Sequence, residues 1–294
     1  MRLPKGAAIV DHALVATELL SLGVESTVKD HVGAPAGIAN TGSAKTELGV
    51  RALAGTLSSV GQVRLGVNSR IQGDLLTRVA PRLDVGATVS GSVNTQADIE
   101  PFRSIGWSLQ AVVGGVDQKI QGNTFLAPGA YGAVDVKPGA TLRLSAGTYF
   151  VRTLRVGPGA RLSVDTTAAP VLVYATNAID WKGVLDLTGA SNRLLFGLLE
   201  SGTVDVGSAA AATIIAPLGR ITFAPGATYR GSFFAREIVT QPRSNLVFEP
   251  FGAWEYVFPP HTDSRLCHSI HIESRKCTME LRQPAQQLGF DPGR

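Results

Sequence analysis

One phrase recurs along this chain: a short stretch of alternating apolar residues, a Gly turn, and a second alternating stretch. Val134-Asp135-Val136-Lys137-Pro138-Gly139-Ala140-Thr141-Leu142-Arg143-Leu144 returns twenty residues later as Leu154-Arg155-Val156-Gly157-Pro158-Gly159-Ala160-Arg161-Leu162-Ser163-Val164. Ile221-Thr222-Phe223-Ala224-Pro225-Gly226-Ala227-Thr228-Tyr229 carries it a third time. Side chains of a β-strand alternate between two faces, so each stretch owns one apolar face. A single unit of this size cannot bury that face; stacking on equivalent units buries it and pairs the backbone groups. The phrase predicts an all-β chain, a right-handed parallel β-helix (solenoid) with a non-repeat C-terminal cap.

The corner glycines mark the rungs. Gly23, Gly49, Gly66 and Gly86 follow at intervals of 26, 17 and 20 residues, and Gly139, Gly159, Gly183, Gly207 and Gly226 at 20, 24, 24 and 19. Gly supplies backbone angles that a Cβ forbids, and a preceding Pro fixes φ for the turn. Within the strands Val134, Val136, Leu142, Leu144, Leu154, Val156, Leu162, Val164, Ile179 and Trp181 are expected to fill the coil. Asp135, Arg143, Arg155, Ser163 and Asp180 are expected to face water. The spacing divides the chain into N-terminal rungs over 1–97, a connecting helix or loop over 98–124, a main block over 125–252 and a cap or tail over 253–294. The connecting segment lacks the turn phrase and is expected to lie against the coil with Trp107 as its anchor, joining the two blocks into one continuous stack.

Composition narrows the function classes. Charged residues make up 17 %, hydrophobic ones 44 %, and 33 glycines and 16 prolines supply the turns. The net charge of +4 does not indicate nucleic-acid binding, because the arginines are scattered singly rather than clustered. The longest small or apolar run, near Ala209 to Pro217, is far below the ~20 residues that cross a bilayer. The first residues carry positive charge with no apolar core behind them, so an intact signal peptide is not expected; the readings left are a cytoplasmic protein or a leader already removed.

Residues able to carry chemistry are few. Cys267 and Cys277 are ten residues apart and read first as a disulfide, which implies an oxidising compartment. Zinc-type ligation by Cys267, His268, His271 and Cys277, and a pair of free thiols, stay open beside it. No nucleophile elbow, paired metal-ligand motif or phosphate-cradling loop is present, and no cofactor is expected. Asp135, Asp165, Asp180, Asp186 and Asp205 sit on strands or strand ends, where some are able to align between rungs as polysaccharide-cleaving carboxylates do; each is also explained as a solvated strand position. The dense Gly-Gly-x-Gly-x-Asp repeat of calcium-binding solenoids is missing, and Thr141, Thr166 and Thr167 form no recurring threonine ladder of the ice-binding kind. Trp107, Trp181 and Tyr174 are the aromatics available for a carbohydrate platform, with Trp181 expected inside the coil.

From Leu126-Ala127-Pro128-Gly129-Ala130-Tyr131-Gly132-Ala133-Val134-Asp135-Val136 through Gly139-Ala140-Thr141-Leu142-Arg143-Leu144-Ser145-Ala146-Gly147-Thr148-Tyr149-Phe150, the chain resembles exported β-helix repeat proteins of bacterial envelopes. Ala216-Pro217-Leu218-Gly219-Arg220-Ile221-Thr222-Phe223 and Gly231-Ser232-Phe233-Phe234-Ala235 resemble the closing phrases of that family. The likeness runs from about Gly122 to Phe251, and a more distant one is to bactofilins, which polymerise end to end. The resemblance implies a non-catalytic structural or adhesive protein, extracellular or in the cell envelope, whose partner is itself through its rung ends, as filaments, or an envelope polysaccharide. It transfers no catalytic residues. The competing readings are a polysaccharide-binding or polysaccharide-cleaving β-helix and a left-handed hexapeptide acyltransferase. The latter rests on Leu22-Gly23-Val24-Glu25-Ser26-Thr27 and Leu65-Gly66-Val67-Asn68-Ser69-Arg70, with His31 as the histidine near such rungs.

Overall fold

A computed structural model describes residues 12–99, 106–109, 115–252 and 278–281, the two short pieces by their backbone alone. The chain is an all-β parallel solenoid of about 11 turns with almost no helix, as the alternation predicts. We number the turns as coils in chain order. Coil 1 holds Leu14–Leu22 and Thr27–Asp30. Coil 2 holds Ile38–Asn40, Thr46–Leu48 and Leu53–Ala54; coil 3, Leu57–Ser59, Val63–Leu65 and Arg70–Ile71; coil 4, Leu75–Thr77, Arg82–Leu83 and Thr88–Val89. Val93–Asn94 begins one further level. Coil 5 holds Gln118–Ile120 and Asn123–Leu126, and coil 6 holds Gly129–Ala130, Ala133–Val136 and Thr141–Leu144. Coils 7 and 8 are Gly147–Val156 with Arg161–Asp165, and Val171–Trp181 with Val184–Thr188. Coil 9 is Leu194–Leu198, Thr203–Val206 and Ala210–Ala211; coil 10, Thr213–Phe223 with Thr228–Gly231; coil 11, Phe233–Thr240 with Asn245–Phe248.

The coils do not stack in chain order. Coil 1 pairs in parallel with coil 2 through Leu14↔Ile38 and, on its other edge, with coil 11 through Leu14↔Phe233. On the third face Thr27 likewise pairs with Leu53 of coil 2 and Asn245 of coil 11. The physical order is therefore 4, 3, 2, 1, 11, 10, 9, 8, 7, 6, 5. The first block climbs away from the middle, the chain crosses to the opposite end, and the second block winds back to close on coil 1. This corrects the expectation of two blocks joined through 98–124: the junction is the first coil against the last. The second block also starts earlier, at Gln118, inside the segment expected to be connecting, and the described part of that segment contains a strand, Gly106–Leu109, rather than a helix. That strand pairs with Thr278–Leu281 and lies against Thr213–Phe223 of coil 10. The Trp107 side chain, and the rest of the expected cap over 253–294, lie outside the described residues.

Each coil has three faces. On the first face one inward column runs Leu75, Leu57, Ile38, Leu14, Phe233, Ile214, Phe196, Val173, Tyr149 in unbroken register. All nine are buried, each large apolar side chain contributing about 1.5–3 kcal/mol. On the second face the alternation holds as expected: Val134, Val136, Leu154, Val156, Ile179 and Trp181 are buried. Trp181 packs edge-on to Phe196 at 5.2 Å and donates its indole N–H to the Gly183 carbonyl at 3.0 Å. The first face departs from simple alternation, because its outward side chains are also buried: Val15, Phe234, Ile215, Leu172, Tyr174 and Phe150 form an external apolar layer. Phe150 and Tyr174 stack there at 5.6 Å.

The corner glycines answer two different demands. Gly86, Gly139, Gly159 and Gly226 have φ between +70 and +77. In the first block, however, this left-handed corner is held by Glu25, Arg51 and Asn68, with φ of +58, +56 and +56, and by Arg243 in coil 11 at +61. Their N–H groups form a ladder along the corner: Arg243 to Val24, Glu25 to Val50, Arg51 to Val67 and Asn68 to Val85, at 2.7–3.0 Å. Gly23, Gly49, Gly66, Gly183 and Gly207 instead sit where two coils approach closely; a Cβ on Gly49 would lie 2.8 Å from the Gly23 carbonyl carbon, whereas one on Gly139 meets nothing within 4 Å. Gly49→Ala must therefore displace backbone, while Gly139→Ala costs only left-handed strain of about 1–2 kcal/mol. Thermal denaturation of the two variants is expected to show the larger loss for Gly49→Ala, and the reverse order would contradict this account.

Candidate interaction surfaces

Three regions carry polar or exposed groups in an organised way: the seam between coils 1 and 11, the second face, and the two ends of the stack.

The seam is stitched by side chains as well as by the ladder. Thr240 Oγ1 accepts the Gly23 N–H at 2.8 Å, Ser26 Oγ donates to the Gln241 carbonyl at 3.0 Å, and Thr27 Oγ1 donates to Asn245 Oδ1 at 2.6 Å. On the left-handed corner Arg243, Glu25 and Arg51 stack with alternating charge: Arg243 Nε lies 3.0 Å from Glu25, and Arg51 pairs with the other carboxylate oxygen. The Arg243 hydrogen bond, helped by the Arg51 charge, holds the Glu25 carboxyl below its ordinary value.

On the second face the outward column reads Lys119, Asp135, Arg155, Asp180, Asp205, Thr222, Val239, Ser21, Glu47, Arg64, Arg82, in register across all eleven coils. Of the carboxylates considered from sequence, Asp135, Asp180 and Asp205 thus share a column, with Asp180 and Asp205 on adjacent coils. Arg155 Nε stands 3.3 Å from Asp180, and Lys182 Nζ 3.2 Å; Lys137 pairs with Asp135. Asp180 is thus engaged by two cations on a flat strand surface. Asp186 lies on the third face, 2.9 Å from Arg161, and Asp165 caps its own turn through the Thr167 N–H at 2.9 Å. The column beside the charged one reads Ala133, Thr153, Ala178, Thr203, Arg220 and carries no threonine ladder.

Of the aromatics considered as platforms, Trp181 is inside the coil as expected, 2 % exposed, and Tyr174 is covered within the external layer of the first face, 1 % exposed. Among the described residues Phe125, on the third face beside Arg143 of coil 6, is an exposed aromatic that sequence reasoning missed, at 58 %; its odd position between Thr124 and Leu126 marks it as outward. His31 is exposed after the second strand of coil 1. Cys267, His268, His271 and Cys277 lie outside the described residues, and no helix among the described residues is long and apolar enough to cross a membrane.

The ends differ. At the coil 4 end Leu83 and Val93, in register with the inward-facing Leu65 and Leu75, are 47 % and 49 % exposed. Among the described residues no strand pairs with their far edge. At the coil 5 end the inward Ile120 and Leu126 are 3 % and 9 % exposed, so the interior there is closed.

Two solved structures are similar in outline. One is an ice-binding protein from an Antarctic biological consortium, 16 % identical with a TM-score of 0.33, covering 84 % of this chain and 92 % of that one. The other is an ice-binding protein from the Antarctic ascomycete Antarctomyces psychrotrophicus, 13 % identical with a TM-score of 0.33, covering 83 % and 97 %. Likeness at that level assigns no ligand to this chain. No family model matches the chain, and no curated protein does.

The seam yields a pH dependence. A carboxylate with a lowered folded-state value stabilises the fold above its unfolded value and loses that contribution as pH falls through the folded one. Urea titrations are expected to show wild type more stable than Glu25→Gln at pH 7, with the difference vanishing as pH drops below 4.5. A difference that persists unchanged at pH 3 would contradict the assignment.

Proposed function

We propose that this protein is a non-catalytic structural or adhesive solenoid of the cell surface that associates with further copies of itself through a coil end. One observation carries the reading: the coil 4 end presents strand edges with no partner strand among the described residues, around an exposed apolar mouth formed by Leu83 and Val93. Open parallel edges of this kind are templates for another chain unless they are blunted or covered. The second face supports the non-catalytic part, since Asp180, the carboxylate best placed beside another, is engaged by Arg155 and Lys182 rather than set in a cleft. The surface location rests on the resemblance to exported envelope β-helix proteins, in which the outer faces are left free for neighbouring matter, an envelope polysaccharide included.

Sedimentation velocity across a concentration series tests the reading. Mass is expected to rise with concentration and to persist at high salt, as apolar contact does, and to be unchanged by Asp180→Ala or Asp205→Ala. A monomer throughout the series, or turnover of an acidic polysaccharide abolished by either Asp variant, would overturn it.

A further inference from the structure

The geometry of the coil 4 end points to a more specific arrangement: we infer that two copies pair end to end about a two-fold axis passing beside Val89, giving a closed dimer rather than a filament. This rests on the self-association proposed above.

The last hydrogen bonds of the stack decide which groups are free. Asp84 donates to Leu65 O at 2.9 Å, Thr88 to Ser69 O at 3.0 Å and Ser90 to Ile71 O at 2.8 Å, while Ser92 O accepts from Leu75 at 2.9 Å. Alternate residues of a parallel ladder turn their backbone groups to opposite neighbours. Leu83, Val89 and Val93 therefore direct both N–H and C=O out of the stack, one on each face. Their side chains follow the inward columns of Leu65, Ile71 and Leu75, so each of the three offers a free backbone pair and an apolar side chain together.

A coil that climbs one strand spacing per turn, ~4.8 Å, ends as a lock-washer. Arg82–Leu83 is lowest, Thr88–Val89 intermediate and Val93–Asn94 highest. Two such ends can meet at a uniform strand spacing only if lowest faces highest and the middle strand faces itself, which sets the axis beside Val89. Strands related by that axis run antiparallel, and directly opposed residues exchange two hydrogen bonds. Val89 then opposes Val89 of the second copy, and Leu83 opposes its Val93.

The flanking residues fit the same register. Arg82 meets Asn94 of the second copy, Asp84 meets Ser92, and Thr88 meets Ser90, so no like charges are opposed and the hydroxyl pairs are favourable. The second copy, rather than a different chain, is the occupant because this self-complementarity is complete at all three strands. A filament would need the coil 5 end as the complementary surface, and there Ile120 and Leu126 are already buried.

Cysteine placed on the full-length chain reads the register directly. After mild oxidation Val89→Cys is expected to give a covalent dimer. Leu83→Cys and Val93→Cys are expected to cross-link when mixed but not alone, and wild type, with Cys267 and Cys277, supplies the background. Leu83→Lys and Val93→Lys, both at exposed positions, are expected to fold with an unchanged circular dichroism spectrum and to weaken the dimer by roughly tenfold or more. Self-cross-linking of Leu83→Cys without Val89→Cys, or filaments in micrographs, would overturn the inferred axis while leaving end-to-end association standing. Association that ignores both Lys variants would move it to another surface. A wild-type monomer at every concentration would sink this inference and the reading beneath it together.

Discussion

A parallel β-strand at the margin of a sheet leaves a row of N–H and C=O groups without partners, and a solenoid has two such margins however many turns it contains. The backbone ladder between coil 1 and coil 11 settles where those margins fall. Because Leu14 pairs with both Ile38 and Phe233, coil 1 is an interior turn, satisfied on both sides. The two ends of the stack are made instead by coil 4 and coil 5, the turns that flank the crossing segment. The remaining architecture follows: a seam held by Thr240, Ser26, Thr27 and Asn245, and one stack end with an apolar mouth.

The seam differs from the other junctions in being the one place where coils distant in sequence must find a register. Elsewhere the turn that leads from one coil to the next limits slippage. Between coils 1 and 11 that local guidance is absent, and directional bonds replace it. Gly23 donates its N–H to Thr240 Oγ1 at close range, where a Cβ would lie 2.5 Å from the Gln241 backbone. The Arg243–Glu25–Arg51 column matches charge across the same junction. A slip of one residue would turn the inward side chains of coil 1 to the outer face, and each of these contacts penalises it.

Much of the coil was legible in the sequence because period-two alternation with a Gly turn has few other solutions. Val134, Leu154 and Ile179 point inward and Asp135, Arg155 and Asp180 outward as that pattern requires. The external layer on the first face was also written there, though less visibly. Val171-Leu172-Val173-Tyr174-Ala175, Leu194-Leu195-Phe196 and Phe233-Phe234-Ala235 are continuous apolar runs, the mark of strands covered on both sides. The stacking order was not legible, since one coil edge resembles another and nothing local in Leu14–Leu22 names Phe233–Thr240 as its neighbour. The left-handed corners at Glu25, Arg51 and Asn68 were hidden by the glycines two positions before them, which serve close approach rather than positive φ. The charged column emerged only with the register, because Asp180 and Asp205 are a whole coil apart and the coils differ in length.

The stacking order is the claim on which the seam, the open end and the proposed association all depend. Nitroxide labels on Arg82 and Lys119, which occupy the two extremes of the same outward column, measure it directly by pulsed electron spin resonance. Ten strand spacings separate them, so the distance is expected at roughly 48 Å plus label reach. A distance near a single spacing, about 5 Å, would mean that coils 4 and 5 are neighbours and that the chain winds in simple order.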